Sequence, residues 1–127
     1  MRSRLTRFPV WSSLAMLPTA VLLGRAGNVL ALVYAASMIV TLAYHWSRER
    51  RYRKLDHVLA WSVIASNCWL TLETRSWLWT AVGLGCVLAS LWFYRAARRA
   101  RYDWRHGWWH LLAGLACWCF AKGMLAC

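Results

Sequence analysis

Acidic residues are nearly missing from this chain. Of 127 residues only four are Asp or Glu, against 16 Lys and Arg, and the formal net charge is +12. Only two prolines occur, no low-complexity tract is present, and no linker is long enough to separate domains. Polar composition is also too low for intrinsic disorder, since 61% of the residues are hydrophobic. The length excludes a two-domain soluble enzyme. The five cysteines contain no CxxC, and Cys117-x-Cys119 points to different faces of a helix. They read as small apolar packing residues rather than as a disulfide framework.

What is abundant is apolar and aromatic. A small soluble domain has too little interior to hide this much apolar side chain together with 11 Trp. The composition therefore predicts an all-α integral membrane helical bundle in a single domain, with lipid in place of a core. The charges cut the chain into five spans, at about 8–23, 28–46, 56–74, 77–94 and 104–125. The last four approach the ~20 residues that a helix needs to cross the hydrocarbon. The first is short, follows Arg2, Arg4 and Arg7, and has the outline of a signal peptide. The Gly24–Asn28 exit is a poor small-x-small cleavage site, so the expectation is a retained, short or tilted helix kinked at Pro18.

Thirteen of the 16 basic residues fall before span one, between spans two and three, or between spans four and five. The positive-inside rule then places the N-terminus in the cytoplasm and the C-terminus outside, as five spans require. The Arg bias and short loops fit a bacterial inner membrane. This accounts for most of the charge without nucleic acid, and Arg clusters beside a membrane also attract anionic lipid. Trp11, Trp46, Trp77, Trp79, Trp104, Trp108 and Trp109 fall near span ends as an interfacial belt would. Gly83, Gly85 and Gly114 are expected to permit close helix approach.

Ionisable groups near a membrane are expensive and point to function. All four histidines fall at the same, cytoplasmic, end: His45 ends span two, His57 opens span three, and His106 and His110 open span five. His106-x3-His110 is an i,i+4 pair, with the two rings one turn apart on one face, able to present two nitrogens to one metal. Thr41 and His45 share that relation, which places the Thr41 hydroxyl one turn deeper than His45. Three histidines with an open fourth position form a common catalytic zinc arrangement. Interfacial histidines can equally be solvated or bonded to backbone carbonyls. Asp56 serves equally well as the N-cap of span three. Asp103 suits the start of span five or a pair with Arg99 or Arg101, and His57 faces a different side from Asp56 and is expected to be solvated.

The set Thr41-x3-His45, Asp56 eleven residues on, and His106-x3-His110 resembles the superfamily of membrane hydrolases that holds the alkaline ceramidases and the progestin and adiponectin receptors, the haemolysin III-like proteins. The resemblance spans about residues 37–112 and rests on five positions. Its His-to-Asp spacing is closer to the ceramidase branch. Two features depart from the pattern: Thr41 stands where the family carries Ser, with Ser37 one turn away as a substitute, and five spans stand where seven are usual. The resemblance implies zinc held by His45, His106 and His110, with water in the fourth position. It implies that Asp56 orients or deprotonates that water, with Thr41 bonding the water or the oxyanion, and Asp103 is the nearest candidate in sequence to bond a ligand imidazole. The implied reaction is hydrolysis of an amide or ester in a lipid-like substrate at the cytoplasmic interface, with Trp108 and Trp109 near the entrance. With fewer helices, the pocket is either open to membrane lipid or closed by a second copy in a homo-oligomer. The competing readings are a lipid sensor that uses the metal as a structural clip, and a small membrane protein or assembly partner with an incidental His cluster.

Overall fold

In the computed structural model the described residues are 8–98 and 102–127, with the side chains of Tyr102 and Asp103 outside the description. Among them every regular element is helical: α1 (Phe8–Ser12), a 3-10 turn (Ser13–Met16), α2 (Leu17–Arg25), α3 (Ala31–Ser47), α4 (Arg50–Leu72), α5 (Trp77–Ala97) and α6 (Tyr102–Leu125).

The first three elements form one interrupted rod, and Pro18 explains the interruption. Proline has no N–H, so the Leu14 carbonyl lacks its usual i+4 donor. The Leu17 N–H takes that carbonyl instead, which tightens the backbone into the 3-10 turn, and Pro18 occupies the first turn of α2. Ser13 Oγ adds a 2.6 Å bond to the Pro9 carbonyl. The rod ends in a Schellman-type motif. Gly27 has φ 68°, and the Asn28 N–H reaches back to the Leu23 carbonyl at 2.9 Å.

This rod lies parallel to α6. A Cβ added at Gly107 would overlap the Phe8 ring, and one added at Gly114 would lie 2.5 Å from the Ala15 carbonyl oxygen. Both members of each contact advance by seven residues, two helical turns, so the contact repeats in step along the two helices. Gly83 similarly admits the Phe120 ring of α6 against α5. Gly85 meets nothing within 4 Å, so its expected role in close approach does not hold.

The helix bounds differ from the sequence expectation in one informative way. α4 starts at Arg50, not near Asp56. Arg and Lys are good helix formers, and the charged stretch simply continues the helix. Asp56 therefore sits almost two turns inside α4, which removes the N-cap reading; Glu49 holds that position. Of the described helices only α5 is both long and apolar enough to cross a membrane. α3 is apolar but has 17 residues. α4 and α6 are longer but diluted, α4 by Arg, Ser and Asn, and α6 by Trp, Gly and His.

Large apolar side chains are exposed and polar ones are buried to an extent unusual for a soluble domain. The exposed ones include Leu72 at 80%, Leu78 at 74% and Trp61 at 72% exposure. Ser37, Thr41, His45, Ser66, His106 and His110 are buried. A core cluster of Leu23, Tyr34, Val63, Leu70, Cys117 and Phe120 joins α2, α3, α4 and α6.

Candidate metal centre

α3 and α4 form a hairpin with a two-residue connection. Arg48 ends α3 in the left-handed region at φ 58°, with its N–H on the Tyr44 carbonyl at 2.7 Å, and Glu49 is extended. Thr41 and Asp56 each lie about two helical turns from this turn, so they come to the same depth on facing helices. The Thr41 hydroxyl donates a hydrogen bond to Asp56 Oδ1. Ser37 is buried at the i−4 position from Thr41. His45, at i+4 from Thr41, is buried on that same side.

α6 supplies the other half. His106 and His110 face α3 and their ring nitrogens converge on His45. The Nε2–Nε2 separations are 3.2 Å from His106 to His45 and 3.0 Å from His110 to His45. One ligand atom from each of the three residues falls within 4.8 Å of the others. All three residues are no more than 8% exposed. The rings stand edge to face at centroid distances of 4.7–5.0 Å.

This donor set fits a metal ion better than it fits a hydrogen-bond network. A neutral imidazole nitrogen is either one donor or one acceptor, so His45 Nε2 cannot serve both facing nitrogens well. A cation takes all three lone pairs at once. Tetrahedral ligation at about 2.0–2.1 Å puts ligand nitrogens about 3.3 Å apart, within a few tenths of an ångström of the two separations to His45. Asp56 is outside the 4.8 Å group, so three imidazoles and no carboxylate define it among the described residues. That leaves the fourth coordination position without a described protein ligand.

The rod of α1 and the 3-10 turn covers the start of α6. The Phe8 ring packs on Trp104 at 5.5 Å and on Trp108 at 6.2 Å. Trp108 also stacks on Phe93, while Trp109 tilts against His106 and His110 at 4.8 Å. Of the two expected entrance residues, Trp109 is therefore the one beside the histidines. One chain suffices to bury the three rings. His57 is exposed on the outer side of α4. Asp103 lies outside the described side chains.

Sequence reasoning missed a second polar node, on the same three helices and deeper in the bundle. Tyr34 OH donates to Asn67 Oδ1 at 2.6 Å, and Asn67 Nδ2 donates to Cys117 Sγ at 3.4 Å. An amide in the middle of an apolar stretch was the available signal. Compared with protein-family models, curated proteins and solved structures, the chain gives no match in any of the three.

Proposed function

We propose that this chain is a small zinc-dependent membrane hydrolase that cleaves an amide or ester bond of a lipid-like substrate. The observation that carries the reading is the buried convergence of His45, His106 and His110 beside a Thr41–Asp56 pair. The exposed apolar exterior and buried polar interior support a bundle surrounded by lipid. The Arg-rich connections support a cytoplasmic location for the His end, in a bacterial inner membrane.

His45, His106 and His110 would hold the zinc. When bound, it supplies Lewis acidity and acidifies water in the open position. Asp56 takes the proton of the attacking water as general base and returns it to the departing nitrogen or oxygen as the carbonyl–heteroatom bond breaks. The Thr41 hydroxyl hydrogen is engaged by Asp56, so Thr41 acts as a positioning residue that fixes which carboxylate oxygen remains for the proton. Trp109 and the buried rings keep bulk water away, which strengthens the electrostatics of the site.

An apolar groove of about 640 Å³ lies between the first rod and α3, lined by Val10, Trp11, Leu14, Ile39, Leu42 and Trp46. Ser47, Glu49 and Tyr52 also line it, Tyr52 at i−4 from Asp56 on α4. Its size and mainly apolar lining suit an acyl chain, with the polar part of the molecule toward Glu49 and Tyr52.

A second reading rests on the bridging of α3 and α6 by the same rings. In it a metal clips a small bundle and no bond is cleaved. The test is a panel of lipid amides and esters assayed with zinc-loaded wild type and Asp56→Asn. The hydrolase reading expects turnover in the wild type that is lost in Asp56→Asn while zinc stays bound. Zinc binding with no turnover on any substrate of the panel favours the clip.

A further inference from the structure

A second recess lies where α5 ends and α6 begins, on the outer surface of that helix pair. It encloses about 480 Å³ and is lined by Trp92, Arg95, Ala96 and Arg105. Arg105 is half-buried, and its Nη1 donates to the Ala96 carbonyl at 2.8 Å. That bond satisfies a carbonyl in the last turn of α5 and also fixes the guanidinium plane. Its remaining N–H groups find no carboxylate or carbonyl among the described residues, and neither does Arg95. Trp92, one turn before Arg95 and Ala96, is exposed at the rim. Two cations with no acidic partner among the described residues, one of them anchored to a carbonyl, can receive a tetrahedral oxyanion. The indole beside them suits the boundary between headgroup and acyl chain.

We infer that Arg95 and Arg105 bind a phosphate group, with Trp92 packed along the molecule that carries it. The ligand is a phosphate ester or free phosphate, and an anionic phospholipid is the source that the exposed Trp92 favours. Arg105 directly precedes His106 in α6, but none of the three histidines lines the recess.

The experiment uses the full chain, delipidated in neutral detergent. Binding of phosphatidylglycerol, phosphatidylcholine and inorganic phosphate is measured by native mass spectrometry and by titration. The wild type is compared with Arg95→Gln, with Arg95→Gln/Arg105→Gln, and with Arg53→Gln on the exposed side of α4. At about 1 kcal/mol for each basic residue, the double variant loses about 30-fold in phosphatidylglycerol affinity and Arg95→Gln about fivefold. Arg53→Gln stays at the wild-type value. Arg95→Gln carries the test if loss of the Arg105 bond to α5 disturbs folding, as monitored by circular dichroism. Preference for phosphatidylglycerol over phosphatidylcholine, with weak phosphate competition, identifies a lipid source. Equal competition by inorganic phosphate identifies a free anion on the same two arginines. Phosphatidylglycerol and phosphate binding that is unchanged in both variants overturns the inference.

Discussion

Two polar nodes, one on α3, α4 and α6 and the other on α3 and α6, behave differently. In the Tyr34–Asn67–Cys117 node the phenol donates to the amide oxygen and the amide nitrogen donates to the thiol, so donors and acceptors alternate along the chain. In the His45–His106–His110 node three atoms of one kind face a common point. The first arrangement is complete in itself and fixes how α3, α4 and α6 pack. The second offers ring nitrogens that one cation could take together. Both nodes are largely withdrawn from the surface, so complementarity of the groups, and not burial, separates the self-satisfied node from the candidate metal centre.

The largest expected effect falls on the ligand that faces both of the others. His45→Ala should weaken zinc binding by more than about 100-fold, a loss beyond that of removing an outer partner, read by competition against a chromophoric chelator. Asp56→Asn should leave that affinity in place and lower turnover by about 10²–10⁴-fold. Thr41→Ala should cost about 10–100-fold in turnover, and Thr41→Ser should restore most of it because the hydroxyl is kept. Asn67→Ala belongs to the other node. It should destabilise the bundle by about 1–3 kcal/mol, measured by unfolding in mixed micelles, with zinc affinity unchanged. The smallest effect is expected at Gly85, which faces open space. Gly85→Ala should be neutral or stabilising by up to about 1 kcal/mol, whereas Gly114→Ala, against the Ala15 backbone, should cost about 1–3 kcal/mol.

Much of the candidate metal centre was legible in the sequence, because i,i+4 spacing fixes a face whatever the tertiary structure. His106-x3-His110 and Thr41-x3-His45 needed only helical periodicity. The pairing of Thr41 with Asp56 needed one more thing, the two-residue turn at Arg48–Glu49, whose left-handed arginine no pattern announces. Asp56 was misplaced at a helix start because the Arg and Lys run before it read as a loop, although those residues extend a helix well. The parallel packing of the first rod on α6 was half visible. Gly114 was singled out, but Gly107 lies hidden between a histidine and two tryptophans, and its partner Phe8 belongs to the segment that most resembled a signal peptide. Tyr34–Asn67–Cys117 was illegible as a unit, since its members are far apart in sequence and only the fold brings them together.

The most direct measurement is the metal content of the detergent-purified chain, wild type beside His106→Ala/His110→Ala, after both are offered zinc at neutral pH. The account predicts about one zinc per wild-type chain and none in the double variant, with helical content unchanged. A wild type that takes up no stoichiometric metal, or a double variant that retains it, would contradict the account.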